Sequence, residues 1–184
     1  DTGNAVILEN SFVPIADSDW VQTTDANGEI TATSGVDDTG NDFGNFELFD
    51  ITGRKFEDAN GDGDDENGTD AAPGVVFQIG LLIVTTPEEG DPTEESVTTT
   101  TTAVDGTYSF EDLGPLAANQ TYVVRELGYY DGSSYDADTG AALDIIEDNF
   151  VAIDAAGSDW EQTFGADGAP ISATSGVDDT GNDF

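Results

Sequence analysis

The chain of 184 residues carries 40 Asp and Glu against 3 Lys and Arg, with no His and no Cys, for a formal net charge of -37. Such a field argues against a nucleic-acid or anionic-membrane partner. The missing thiols and imidazoles exclude disulfides, thiolate or imidazole catalysis and zinc-finger chemistry. Self-repulsion of this size must be screened by salt or bound cations before the chain is compact. With 36% hydrophobic residues, including 10 Phe, 5 Tyr and 2 Trp, a folded chain is expected rather than a disordered one.

Short β-branched and aromatic segments recur between Gly, Asp and Asn clusters, the pattern of an all-β sandwich or barrel. In chain order they begin with NDFGNFEL (41–48), ITGRKFE (51–57) and GVVFQIGLLIVTT (74–86). The apolar run within the last is interrupted by Gln78 and is far shorter than the ~20 residues of a membrane-spanning helix, so no membrane span is expected. TTPEEGDPTEE (85–95) reads as a loop. SVTTTTTAV (96–104) and GTYSFEDL (106–113) follow, and Asp105–Gly106 between them predicts a hairpin, because Gly accepts positive φ at no cost. TYVVRELGYY (121–130), DNFVAI (148–153), EQTF (161–164) and PISATSG (170–176) complete the set, and no window shows a long amphipathic helix.

The sequence also repeats itself. TSGVDDTGNDF occupies 33–43 and again 174–184, inside a longer echo in which SDWVQTT from Ser18 is answered by SDWEQTF from Ser158. Upstream, DTGNAVILENSFVPI from Asp1 is matched by DTGAALDIIEDNFVAI from Asp138. Self-similarity at a domain-sized spacing marks a tandem array in which each copy owns a core. The acidic turns GVDDTGND and DSDW read as surface.

The most specific motif is DANGDGDDENGTD, Asp58 to Asp70. Against a twelve-residue calcium loop, Asp58, Asn60 and Asp62 fill positions one, three and five, and Gly63 supplies the sharp turn at six. Asp64 offers its carbonyl at seven, and Glu66 stands at nine. Alternate oxygen side chains on a tightly curled loop point inward and build the 6 to 8 oxygen shell of a hard cation. Position twelve is Thr69 rather than Glu, so Asp70 or a residue from elsewhere must close the shell. The alternative is a solvated acidic loop; calcium is the reading preferred here.

GNFELFDITGRKFEDANGDGDDENGTDAAPGVVFQI (44–79), DGTYSFEDLGPLAANQTYVVRE (105–126), and DWVQTT leading to SGVDDTGNDFGNF together resemble the B-type repeat domains of serine-aspartate-repeat surface adhesins. Similar domains occur in large secreted bacterial and archaeal repeat proteins and are related to the B-type domains of collagen adhesins. The resemblance implies an immunoglobulin-like or prealbumin-like β-sandwich, tandemly repeated. Residues 1–46 would then be the C-terminal part of a preceding copy, and 47–184 one nearly complete repeat, with the repeated phrase as the closing strand of each. It also implies an extracellular, cell-surface location; the acidity beyond the family's need suggests a saline habitat.

Lys55 is the single lysine, and an unpaired ammonium in a core is costly. Collagen-adhesin B-type domains resemble this arrangement when they form a Lys to Asn isopeptide bond. That resemblance would make Lys55 the nucleophile, Glu126 the assisting acid and Asn182 the electrophile. The reading preferred here is that Lys55 runs to the edge of the core and pairs with Glu57 or another carboxylate.

Asn67 and Asn119 open glycosylation sequons, and Thr98 to Thr102 form a threonine run. The expected function is structural: a stalk, fibre or filament of calcium-stabilised repeats whose partners are adjacent copies of the same unit. The alternative is an adhesive module for a host, matrix or neighbouring filament, with Tyr129, Tyr130 and Tyr135 as aromatics to inspect, assembled in one version by strand donation between subunits. Carboxylate pairs for hydrolysis can be chosen at will in so acidic a chain, so no enzyme is expected.

Overall fold

The computed structural model describes residues 5–7, 18–24, 28–30, 34–35, 37, 39–40, 42–61, 74–132, 134–136, 138–143, 145, 149–153, 155–160, 162 and 168–184. Its strands are β1 (Ala5–Ile7), β2 (Trp20–Gln22), β3 (Gly28–Ile30), β4 (Asn45–Glu47), β5 (Phe49–Arg54) and β6 (Val76–Thr85). They continue with β7 (Thr93–Thr101), β8 (Thr107–Leu113), β9 (Gln120–Tyr130), β10 (Ser134–Tyr135), β11 (Ala142–Leu143) and β12 (Phe150–Ala152). The chain is all-β, with no α-helix among the described residues.

The main sheet runs β12–β9–β6–β7, every neighbour antiparallel. β6 lies at its centre, which explains a nearly continuous apolar sequence, and Phe77, Ile79 and Leu81 are fully buried. Opposite it, β5 and β8 pair with Ile51 against Phe110 and Gly53 against Tyr108. β8 alternates as a half-buried strand should, with Tyr108 and Phe110 inside and Thr107, Ser109 and Glu111 outside. The two layers meet in one cluster that includes Phe49, Ile51, Phe77, Ile79, Leu81, Phe110, Tyr122 and Val124. Phe49 and Tyr122 pack edge to face at 6.0 Å. Each such side chain contributes about 1.5–3 kcal/mol by leaving water. The arrangement is compatible with a β-sandwich.

β7 forms one edge of the main sheet. Residues 93 to 99 are exposed, and Glu94 and Glu95 on it discourage edge-to-edge pairing.

The Asp105–Gly106 turn forms, with Gly106 at φ 83° and its N–H donating to the Ala103 carbonyl at 2.9 Å. It does not close a β7–β8 hairpin, however. β7 stays with β6 while β8 crosses to β5, because Tyr108 and Phe110 are buried only from the second layer. The Gly106 carbonyl accepts from the Lys55 N–H at 2.9 Å, tying the turn to the end of β5.

PISATSG also departs from expectation. Only Ile171 pairs with the main sheet, exchanging both bonds with Tyr122 at 2.8 and 2.9 Å, after which the chain crosses to the second layer. Gln162 is the described residue of EQTF and lies outside any strand.

Candidate functional site

The second copy of the repeated phrase lies along residues 47–56. It runs parallel to them and carries acceptors at successive steps. The Glu47 N–H donates to Ser175 Oγ at 2.7 Å, Asp50 N–H to Asp178 Oδ1 at 2.9 Å, and Thr52 N–H to the Asp179 carbonyl at 2.9 Å. Arg54 N–H then donates to Asp183 Oδ1 at 2.9 Å, and Phe56 N–H to the Phe184 carbonyl at 3.0 Å. In return, Phe184 N–H donates to the Arg54 carbonyl at 3.0 Å. Three of the five acceptors are side chains, so the acidic phrase, exposed over residues 174–178 as its surface reading expects, is also a latch on the open edge of β5. Its repetition was the available signal, since side-chain acceptors leave no strand periodicity.

Gly53 makes the close approach possible. A β-carbon there would meet the Asn182 carbonyl and the Tyr108 hydroxyl, which donates to that same carbonyl. Burial pushes the Tyr108 phenol far up, reinforced by the nearby charges of Asp183, Asp179 and Glu126, so it stays a donor.

Lys55 is brought to Glu126 rather than to the rim. It is 5% exposed and Glu126 is 6% exposed. The ammonium sits 3.4 Å from Oε1 and 3.5 Å from Oε2, and 5.0 Å over the ring of Phe77, a favourable cation–π placement. Both oxygen contacts are long, and Oε1 has no hydrogen bond. Burial pushes the Glu126 carboxyl above the usual carboxylate range, against the opposing charge and hydrogen bond of Lys55. A dry, protonatable acid beside an amine can pass a proton to or from it. The Asn182 amide lies on the same latch but donates to the Thr52 carbonyl at 3.2 Å and to Asp179 Oδ1 at 2.6 Å. Phe77 and Tyr108 were invisible as site residues because both read as ordinary core aromatics.

Of the acidic loop, Asp58 and Asn60 are described. Asp58 Oδ1 accepts from the Gly61 N–H at 2.7 Å, while Gly63, the expected sharp turn, lies outside the described residues. Asp62, Asp64, Glu66 and Asp70, with the sequon residue Asn67, lie outside the described residues. Among the described residues no group of three or more acidic side chains is placed to hold a metal ion.

Asn119 is exposed, and its carbonyl accepts from the Thr86 N–H at 2.9 Å in the turn before β9. Tyr129 and Tyr130 are buried, and the Tyr135 hydroxyl donates to the Val75 carbonyl at 2.8 Å, so these tyrosines form no exposed aromatic face. No helix among the described residues is long and apolar enough to cross a membrane. No known protein family, curated protein or solved structure matches the chain.

Proposed function

We propose that the chain is a structural element of an extracellular, cell-surface stalk or filament, built from tandem immunoglobulin-like or prealbumin-like β-sandwich repeats stiffened by calcium. The observation that carries this reading is the repeated phrase in two settings. The 174–184 copy latches the unit made by residues 47–184. The earlier copy, 33–43, belongs to a segment joined to the start of the same unit: β2 pairs with β4, Leu48 N–H donates to the Asp19 carbonyl at 2.6 Å, and Thr23 N–H to the Gly44 carbonyl at 2.8 Å. On this reading residues 1–46 are the C-terminal part of a preceding repeat, and the Trp20–Glu47 pair with the Leu48–Asp19 bond ties that segment to the start of the next. Successive units held this way transmit pull through strands.

Calcium enters through Asp58, Asn60, Asp62, Asp64, Glu66 and Asp70, and it offsets part of the self-repulsion of a chain of net charge -37. At ~100-fold over its dissociation constant a bound ion adds roughly 2.7 kcal/mol. Lys55 and Glu126 act as an ion pair, with no covalent bond to Asn182; an intact mass short by one ammonia would reverse that assignment. The test of the whole reading is thermal unfolding in molar potassium chloride with calcium and with a chelator. A calcium-dependent rise in Tm that disappears in Asp58→Ala/Asp62→Ala is expected, and no rise in the parent chain sinks the calcium-stiffened stalk.

A further inference from the structure

The connection from β8 to β9 ends in Asn119-Gln120-Thr121, a sequon that neither the core nor the latch uses. Leu116 anchors this connection on the core. Residues 117–120 then close a turn in which the Gln120 N–H donates to the Ala117 carbonyl at 2.9 Å. Gln120 is held by its side chain as well: Oε1 accepts the Ala117 N–H at 3.1 Å, and Nε2 donates to Thr85 Oγ1 at 3.2 Å. The Asn119 carbonyl accepts the Thr86 N–H at 2.9 Å. The main chain of the sequon is thus pinned to the end of β6.

The Asn119 side chain stands outside this network. Asn119 is exposed, as are Ala117 and Ala118 before it, and among the described residues its carboxamide has no hydrogen-bond partner. Other carboxamides are engaged: Asn149 Nδ2 donates to the Asp131 carbonyl at 3.1 Å, and Asn182 Nδ2 holds the latch through Thr52 and Asp179. Thr121 lies opposite Val84 at the start of β9 and is half-buried, and its hydroxyl is likewise unbonded among the described residues. A bulky hydrophilic group on Asn119 Nδ2 therefore breaks no contact and takes no space from the core.

We propose that Asn119 carries an N-linked oligosaccharide. Asn-x-Thr with x other than Pro is the acceptor order for such a sugar, which belongs on a surface loop. The donor is an oligosaccharide linked through phosphate to a lipid, and a membrane-bound transferase moves it. The bond from sugar C1 to the phosphate oxygen breaks with its electron pair going to the phosphate. The bond from C1 to Asn119 Nδ2 forms, and one Nδ2 proton is released to water. Donor and transferase act outside the cytoplasm, so the inference rests on the extracellular location proposed above. Pinning of the main chain by Thr86, Ala117 and Thr85 keeps the carboxamide pointed away from the sheets whether or not the sugar is present.

The test takes the chain from the cells that naturally make it, cuts it after Glu residues, and weighs the peptide of residues 112–126. One oligosaccharide mass is expected on that peptide, localised to Asn119 by fragmentation. Loss of that mass is expected in Asn119→Gln and in Thr121→Val, and retention in Thr121→Ser. Because a variant that fails to fold could also lose the sugar, the unfolding midpoint of Asn119→Gln is compared with that of the parent made without glycan, and the two are expected to coincide. A bare 112–126 peptide overturns the inference, and so does a sugar mass that survives Asn119→Gln. A bare peptide in a chain recovered outside the cell leaves the extracellular stalk standing; a bare chain recovered only inside the cell removes both readings. A glycan at Asn119 without any calcium effect on Tm supports the glycan and removes the calcium-stiffened stalk.

Discussion

Phe184 is the ladder neighbour of Lys55: its N–H donates to the carbonyl of Arg54 and its own carbonyl accepts the N–H of Phe56, each at 3.0 Å. The last residue of the latch therefore lies beside the one buried cation of the described core. Lys55 is roofed by Phe77 at 5.0 Å and countered by Glu126, so the latch seals the place where water would otherwise solvate the pair.

A sealed ion pair is expensive in desolvation, and the gain from attraction depends on good geometry. Here both oxygen contacts are 3.4 Å or longer. Lys55→Met/Glu126→Leu is expected to be at least as stable as the parent, by up to about 4 kcal/mol, whereas Glu126→Gln alone, which strands the ammonium, is expected to lose about 3–5 kcal/mol. Denaturant unfolding at constant salt measures both. A double variant less stable than the parent would show that the pair is a net source of stability.

The same pair sets a pH signature. Burial raises the Glu126 carboxyl above its ordinary value despite Lys55, so between the ordinary value of about 4.3 and the raised one the folded chain holds more protons than the unfolded chain. Stability from this group is then fully present below the ordinary value and is lost as pH rises through the raised one. Asp105 and Asp136 have the opposite sign: hydrogen bonds from Thr107, and from Thr139 and Asp138, hold them below the usual range, and their contribution is lost on acidification. Those two titrate alike in the parent and in Lys55→Met/Glu126→Leu, so the difference between the proteins isolates Glu126. The parent is expected to gain on the double variant as pH is lowered; a difference that is flat with pH would contradict the burial of this carboxyl.

The all-β class was legible because period-two burial is written directly into TYSFEDL and continuous burial into the middle of β6. The layer assignment around Asp105–Gly106 was not, since a turn dipeptide specifies a reversal of direction and says nothing about which sheet receives the outgoing strand. Lys55 and Glu126 surfaced only through a family resemblance, because a pair separated by 71 positions has no local signature. The latch was visible as a repeated phrase and, through the family resemblance, as a closing strand, but its side-chain acceptors were not, since its work is shared between carboxylates and main-chain carbonyls.

The two tryptophans report the two copies separately. Trp160 packs on Phe77 at 5.2 Å with rings nearly perpendicular, while Trp20, at the equivalent place in the first copy, is 42% exposed on β2. In Trp20→Phe the remaining indole is expected to emit at short wavelength and resist acrylamide; in Trp160→Phe the remaining one is expected to emit at long wavelength and quench readily. Trp160→Ala is expected to cost about 3 kcal/mol or more, and Trp20→Ala to stay within about 0.5 kcal/mol. Equal quenching of the two indoles would mean that the copies share one environment.

The latch makes the corresponding prediction for carboxylates. Asp183 Oδ1 accepts the Arg54 N–H and Asp178 Oδ1 the Asp50 N–H, each at 2.9 Å, so removing either side chain leaves a backbone donor on β5 without its acceptor. A hydrogen bond to a charged group is worth about 1.5–3 kcal/mol. The Asp178 bond is exposed to water and should fall at or below the low end, and the part-buried Asp183 bond should be the larger. Asp183→Ala and Asp178→Ala are accordingly expected to destabilise in that order, while Asp42→Ala and Asp37→Ala, which remove the identical residues of the first copy, leave the unfolding midpoint of the monomer unchanged. Each substitution removes one negative charge from the same acidic chain, so the first-copy variants control for the loss of repulsion. Equal effects in the two copies would mean that the carboxylates act through charge alone and not as acceptors on the edge of β5.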